Sequence, residues 1–535
     1  VTSLTGTWSL TRLAFRRDRI MLVVWVYAFT AFVAATVYGF RKLYPAPAGR
    51  AEFAATAGHN AAFLSLYGPL YGDSLGSLTA WRDSAIAAFL AGLMSAFIVV
   101  RHTRADEESG RLELVGAAVV SRSSPLACAL IVALTANLAI AVTMTLAAVG
   151  FGLPLAGSIA LAAGIAGSGA VFAAVAAVTA QLAQSARPAR GIAIGVIGVA
   201  FVLRAVGDSA SASGPRWLSW LSPIGWAVGD RAFGGIRWWV LLLPLAATIV
   251  VAAGAAVLAA RRDYDAGLLT QRPGRATAAA ALRSPIALAW RLQRGTSFAW
   301  IAGALVYGLV IGSSAKGIGG LLGSMQVRRV VTRLGGQSVL TNAYLAALLS
   351  FTAVVAAGYT VSTVLRLRSE ETGGYADSVL STGASRIGWS SAHLAIAAAG
   401  TVVIMAMTGL GAGLGYAAHG GAGREIGKLV VAGLVYVPAA LVIGGFAAAL
   451  FGLVPRSSAA ASWTVLGLVA ALLLLGPTLQ LSHWVLDASP FTQVPRLPGG
   501  NVSALPLVVL AVIAAVLAGA GLAGLRRRDI GSAGG

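Results

Sequence analysis

Apolar runs broken at short intervals by arginine-bearing gaps dominate the chain. A helix that crosses a bilayer needs roughly 20 mostly apolar residues. About twelve runs reach that scale: Ile20–Phe40, Ser84–Val100, Leu126–Gly150, Ser158–Leu182, Gly191–Val206, Trp238–Ala260, Phe298–Ser313, Tyr344–Leu365, Ala392–Tyr416, Leu429–Leu450, Ala459–Gly476 and Leu505–Leu525. The pattern predicts an all-α polytopic membrane protein. The first run follows Arg16, Arg17 and Arg19 but exceeds the usual h-region, so it reads as a retained anchor and not a cleaved leader.

The runs fall into two halves with the same marks in the same order. Leu13-Ala14-Phe15-Arg16 returns as Leu288-Ala289-Trp290-Arg291, and Glu107-Glu108 as Glu370-Glu371. Ser121-Arg122 returns as Ser385-Arg386, and Ser222-Pro223 as Ser489-Pro490. Six helices plus six in one orientation make a parallel repeat with a pseudo-two-fold axis along the membrane normal. The predicted layout is a first transmembrane domain over 1–260, a basic Ala/Gly/Thr-rich linker over 261–283 and a second transmembrane domain over 284–535.

Charge then gives an orientation. The chain has 535 residues, 58% hydrophobic and 11% charged, with a formal charge of +21. The basic residues form no single domain with interleaved aromatics, which argues against a nucleic-acid binder. Most of the 39 Lys and Arg lie in gaps that share a side with the N-terminus, among them Arg12, Arg101, Arg187, Arg261, Arg366, Arg456 and Arg526. Basic residues mark the cytoplasmic side, so both termini are expected in the cytoplasm of a multi-pass plasma-membrane protein. The single cysteine, Cys128, lies in an apolar run and reads as a small buried hydrophobe. The five histidines show no metal-ligand spacing and read as ordinary loop or helix residues.

One phrase departs from the apolar background. Residues 104–122 read RADEESGRLELVGAAVVSR, and 368–386 read RSEETGGYADSVLSTGASR. If a helix starts near Ala105, Glu107 and Glu108 can each meet Arg111 on one face. Leu112, Val115 and Val119 then form a narrow apolar stripe. A membrane-surface helix is a poor reading, because the acids would face an anionic leaflet. A proton relay is misplaced, since relay carboxylates sit within the span. Two readings stay open, a docking helix for a soluble partner and a solvated, topology-setting loop. Aligned at Gly110 and Gly374, Tyr375 replaces Arg111, Asp377 replaces Glu113, and one residue is inserted.

Two further segments lie on the side away from the phrase. LYGPLYGDSLGSL, within Asn60–Ala80, suggests a folded cap. WLSWLSPIGW, at Trp217–Trp226, reads either as an interfacial aromatic anchor or as a short re-entrant helix, with a counterpart at Trp484–Phe491. No GxxxxGK[ST] occurs, so the chain does not bind ATP by a P-loop. No catalytic constellation or metal cluster is visible, and the chain is not expected to be an enzyme. Phe89, Met94 and Phe97 are weak substrate-lining candidates, and Asn137, Thr143, Thr145 and Thr401 either line a cavity or bond between helices.

The phrase DEESGRLELV with its following SR, its echo SEETGGYADSVL, the RHTRADEE lead-in, YGPLYGDSLG and LSPIGW together resemble the permease subunits of ABC type-2 superfamily exporters, the actinobacterial polyketide-antibiotic (tetronasin-type) kind. The resemblance spans nearly the whole chain. It implies coupling helices at about 104–122 and 368–386, each docking one of two copies of a separate cytoplasmic ATPase that holds ATP and magnesium. The docking residues would be Arg104, Asp106, Glu107, Glu108, Arg111, Glu113, Arg122, Glu370, Glu371, Tyr375, Asp377 and Arg386. An amphiphilic cargo would leave along the pseudo-two-fold axis, and lipid would surround the chain. The runner-up is a proton-coupled secondary exporter, disfavoured by the acidic loop and by helices nearly free of carboxylates. A membrane-embedded enzyme would need a paired acidic site, whereas Asp83, Asp208 and Asp230 are scattered.

Overall fold

The computed structural model describes residues 4–58, 61–112, 119–209, 215–262, 267–268, 277, 282, 284–315, 337–418, 421–475, 482–495, 497–500 and 503–529. Among them are helices and turns and no strand. Two compact units result, Val1–Gly274 and Arg275–Gly535, divided within the segment read as linker.

The first unit holds α1 (Thr7–Leu43), α2 (Leu75–Glu108), α3 (Ser124–Gly150), α4 (Leu155–Leu182), α5 (Ala186–Ser209) and α6 (Trp238–Arg261). The second holds α7 (Pro285–Ser313), α8 (Thr341–Thr372), α9 (Arg386–Ala418), α10 (Glu425–Leu453) and α12 (Ala504–Arg527), with α11 (Ser458–Leu475) between the last two. Eleven described helices are long and apolar enough to cross a membrane. The expected span Ala459–Gly476 corresponds to the remaining helix, α11, whose apolar stretch Ser458–Leu473 is shorter.

Each unit buries its second and fourth helices. Of their apolar stretches, 72% of α2 and 67% of α4 are buried, against 17% of α6. The second unit repeats this with 72% of α8 and 61% of α10, against 17% of α12. The central helices are built from small residues: Ala85, Ala88, Ala91 and Ala96 of α2 and Ala160, Ala173, Ala176 and Ala177 of α4 are fully buried. Where no water drives apolar faces together, close backbone approach supplies the dispersion contact that holds helices. Between α7 and α9, Gly308 and Gly312 interlock with Gly411 and Gly415, so that a Cβ on any of the four would collide with the facing backbone. On α12, Leu505, Val508, Val509, Val512, Ile513 and Val516 are exposed at helical spacing. Such a stripe faces acyl chains at no cost.

Polar side chains inside the bundles bond across helices. Asn137 Nδ2 donates to Ser95 Oγ at 2.8 Å, Thr30 Oγ1 to Thr143 Oγ1 at 2.8 Å, and Thr360 and Thr401 share a bond of 2.6 Å. Thr145 Oγ1 reaches Ser158 O at 3.4 Å. These residues therefore knit helices, the second of the two readings above. Cys128 is buried. The segment before α2 folds as helices Pro47–Ala57 and Ala61–Tyr67. Around it Phe53, Phe63 and Tyr67 gather on Trp81.

Candidate functional site

The acidic phrase does not open a separate helix. α2 widens into one π-helical turn at Arg101–Ala105 and ends with Asp106–Glu108. The chain then turns at Gly110 with φ 69°, a left-handed value that glycine takes without a Cβ penalty. Asp106 and Glu107 are buried. The predicted Glu107–Arg111 and Glu108–Arg111 face is thus corrected, since neither pair forms. Asp106 Oδ1 instead takes Arg17 of α1 at 2.7 Å and the exposed Arg111 at 3.3 Å.

Glu107 is the centre of the cluster. Its carboxylate accepts from both Nη atoms of Arg262, which caps the C-terminus of α6, at 3.0–3.2 Å. Arg104, itself buried, adds 3.2 Å from Nη1; the same Nη1 also reaches Gln184 O just past α4, and its Nε donates to Ala180 O near the end of α4. Glu108 keeps an exposed edge while its Oε1 accepts from Ala186 N, the first amide of α5, at 2.9 Å. A carboxylate there meets both an orphan donor and the positive helix end. Asp18 of α1 is tied to Arg101 at 3.0 Å and to His102 Nε2 at 2.7 Å. One short stretch thereby fastens α1, α4, α5 and α6 to the end of α2.

The second unit builds the same clamp. Glu371 forms a bidentate pair with Arg528, the C-cap of α12, at 2.6 and 2.7 Å. Glu370 pairs with Arg366 one turn earlier at 3.1 Å, as Asp106 does with His102 at 3.7 Å. It also meets His393 at 3.3 Å and Trp389 Nε1 at 3.2 Å. Arg368 donates to Arg456 O and Ser458 Oγ at the start of α11, as Arg104 does near α5. Gly374 repeats the left-handed turn at φ 73°. These equivalences correct the alignment. Asp106-Glu107, not Glu107-Glu108, corresponds to Glu370-Glu371, and no insertion remains between the phrases.

What projects from each clamp is small and differs between units. In the first it is Glu108, Ser109 and Arg111, with Gly110 half-buried and Arg122 exposed nearby; Glu113 and Val115 lie outside the described residues. In the second, helix Tyr375–Leu380 follows the turn. Its Ala376 is buried with Leu367, Trp389, Phe451 and Leu525, while Tyr375 is 70% exposed and Asp377 is exposed. Arg386 is exposed and donates to Arg528 O at 2.8 Å. The apolar stripe predicted for the first phrase is not a packed face at Val119, which is 77% exposed. Asp18, His102, Arg262, His393 and Arg528 were missed by the sequence reading, although an arginine closing each half was visible.

The weak substrate-lining set is not one face. Met94 is fully buried, Phe97 is 38% exposed, and Phe89 stacks edge-on against Phe201 at 5.5 Å. Carboxylates, too, are less peripheral than expected. Asp83 is buried within α2 and accepts from Thr36 Oγ1 of α1 at 2.9 Å. Asp230 caps helix Pro223–Gly229, which Ser222 opens by accepting from Ile224 N and Gly225 N. Burial pushes the Asp230 carboxyl up to about 8, against one bond from Ala232 N.

Two comparisons bear on kinship. Residues 282–526 match the family described as "Multidrug efflux system permease Rv1217c, C-terminal domain". Over 530 residues the chain is 42% identical to the "Multidrug efflux system permease protein Rv1217c" of Mycobacterium tuberculosis, covering 98% of this chain and 95% of that protein.

Proposed function

We propose, from the premise that the chain belongs to the Rv1217c family of multidrug efflux permeases, that it is the membrane permease of an ATP-driven exporter. It moves amphiphilic small molecules, antibiotics among them, out across the bacterial plasma membrane. Two copies of a separate cytoplasmic ATPase supply the energy and hold ATP and magnesium. The chain comprises two parallel six-helix repeats with both termini in the cytoplasm, as in the polyketide-antibiotic exporter permeases that its motifs resemble.

The observation that carries this reading is the pair of turns at Gly110 and Gly374, each fixed to the other helix ends of its unit by a buried carboxylate–arginine clamp. A docked motor pushes on an exposed tip, and the clamp passes that push to several helices at once. This division of labour relocates the docking surface. The buried Asp106, Glu107, Glu370 and Glu371 transmit, while Glu108, Ser109, Arg111, Tyr375 and Asp377 offer contact.

Co-expression with a candidate P-loop ATPase subunit tests the reading. Arg111→Glu with Tyr375→Ala should release the ATPase on co-purification and stop dye efflux, while the chain still inserts and keeps its gel-filtration profile. Native mass should show two ATPases per chain. Undiminished co-purification and efflux in the double variant would overturn the docking surface. One observation favours the proton-coupled alternative, the buried Asp83 inside α2. Efflux that stops with a protonophore but survives ATP depletion would select it.

A further inference from the structure

At the end of the first unit remote from Glu107 lies a cavity of about 540 Å³ that the clamp does not use. Three guanidiniums line it, Arg216, Arg231 and Arg237, against one carboxylate, Asp208. That carboxylate already has partners. Ser219 Oγ donates to its Oδ1 at 2.7 Å, and the fully buried Arg204 lies 3.5 Å from its Oδ2. The wall therefore keeps an excess of positive charge. Beside the arginines the lining is apolar and aromatic, with Leu64, Pro69, Trp220 and Val228.

Arg231 and Arg237 stand on a rigidly held loop, and Arg216 opens the short helix Arg216–Leu221. Arg231 and Phe233 have φ of 55° and 64°, left-handed values that cost a non-glycine residue energy and that gather at functional sites. The Phe233 ring fills a slot over Gly76 of α2 and Gly157 of α4, where any Cβ would strike it. Backbone bonds from Arg237 N to Asp230 O and from Gly234 N to Arg231 O, both 2.8 Å, close the loop on itself. The Arg231 guanidinium lies over the Tyr71 ring at 4.5 Å, which sets its plane. Its Nε is buried without a hydrogen-bond partner, and a buried donor in that state gains from any acceptor. Under the proposed topology this is also the side where arginine is disfavoured.

We infer that this cavity binds the oxyanion headgroup, carboxylate or phosphate, of an amphiphile whose apolar part lies along Leu64, Pro69 and Val228. The inference deepens the export reading and rests on it only in calling such a molecule cargo. Planar guanidiniums suit bidentate capture of oxyanions.

The test uses the full chain in phosphatidylcholine nanodiscs, titrated with decanoate, decyl phosphate and decanol and read by tryptophan fluorescence, since Trp220 is in the wall. Both anions should saturate the signal, with decanol at least about ten-fold weaker, the weight of one charge-assisted bond. Arg231→Gln with Arg237→Gln should lose about ten-fold or more for decanoate. Equal affinity for decanol and decanoate in the unmodified chain would overturn the site without any variant. Unchanged binding by the double variant would do the same. Nanodiscs with phosphatidylglycerol separate the sources: competition with decanoate assigns the site to a lipid headgroup, and its absence assigns it to a free acidic amphiphile. Efflux of a cationic dye keeps the two readings apart. Anion binding lost with dye efflux intact supports the site, whereas dye efflux absent in the unmodified chain refutes the export reading alone.

Discussion

Removing Arg262 tests whether the clamp, and not the exposed charge pattern, holds the end of the first unit. Glu107 has a side chain 3% exposed and Arg262 one 14% exposed, 3.0 Å apart. Taking one partner from a buried ion pair typically costs ~3–5 kcal/mol, because the survivor stays buried and uncompensated. Arg104, 1% exposed and 3.2 Å from the same carboxylate, remains, so Arg262→Ala should cost about 2 kcal/mol. Arg111 is 59% exposed in its pair with Asp106, and Arg111→Ala should fall under ~1 kcal/mol. Reversible unfolding in mixed micelles, titrated with SDS, gives each value for the full chain. A cycle through Glu107→Ala, Arg262→Ala and the double variant should return a coupling of about 2 kcal/mol, within the range for residues in direct contact. Coupling under ~0.5 kcal/mol, or an Arg111→Ala cost matching that of Arg262→Ala, would refute the clamp.

The equivalent cycle on Glu371 and Arg528, 3% and 17% exposed at 2.6 Å, should give a coupling within about a factor of two of the first; a value near zero would show that the two units are not built alike. For Asp230, whose folded carboxyl titrates at about 8 and whose unfolded form titrates near ~3.9, the folded state holds a proton between those values that the unfolded state has released. Stability should therefore fall by the order of a few kcal/mol as pH rises from 5 to 8 and then level off, with Asp230→Asn removing the slope; parallel profiles would contradict it. Gly308→Leu should separate α7 from α9 and abolish the monodisperse gel-filtration peak, whereas Gly303→Leu, with nothing within 4 Å of its Cβ position, should leave it unchanged.

Spans and order were legible because an apolar run of bilayer length has few alternatives in water or in lipid. Which helices each unit buries, α2 and α4 in the first and α8 and α10 in the second, was not legible, since burial among helices and burial in lipid select similar residues. The clamp was hidden for another reason. Helical spacing pairs Glu107 with Arg111, but the helix ends at Glu108 and the chain turns at Gly110 before Arg111, and the partners of the buried acids lie far away in sequence. A single-sequence reading sees Arg262 and Arg528 only as topology signals. The arginine-lined cavity was missed similarly, because Arg216, Arg231 and Arg237 are scattered in sequence and the loop that carries Arg231 and Arg237 turns through a left-handed backbone at Arg231 that no local propensity favours.

The corrected register changes how the two phrases compare. With Asp106-Glu107 set against Glu370-Glu371, three clamp elements have counterparts: an acid to the arginine closing the unit, an acid to the residue one turn earlier, and an arginine to the chain between the fourth and fifth helices. The anchors differ in their remaining partners, Arg17 for Asp106 against His393 and Trp389 for Glu370, and the tips differ in residue type, Glu108 against Thr372 and Arg111 against Tyr375. Under the proposed docking, tips that differ above a shared arginine clamp would let the two contact sites be unequal. Alanine at Glu107 and Glu108 together would confuse clamp and tip, since one residue is anchor and the other still caps α5 through Ala186. Only substitutions beyond the left-handed glycines, at Arg111 and Tyr375, separate weakened docking from a loosened bundle.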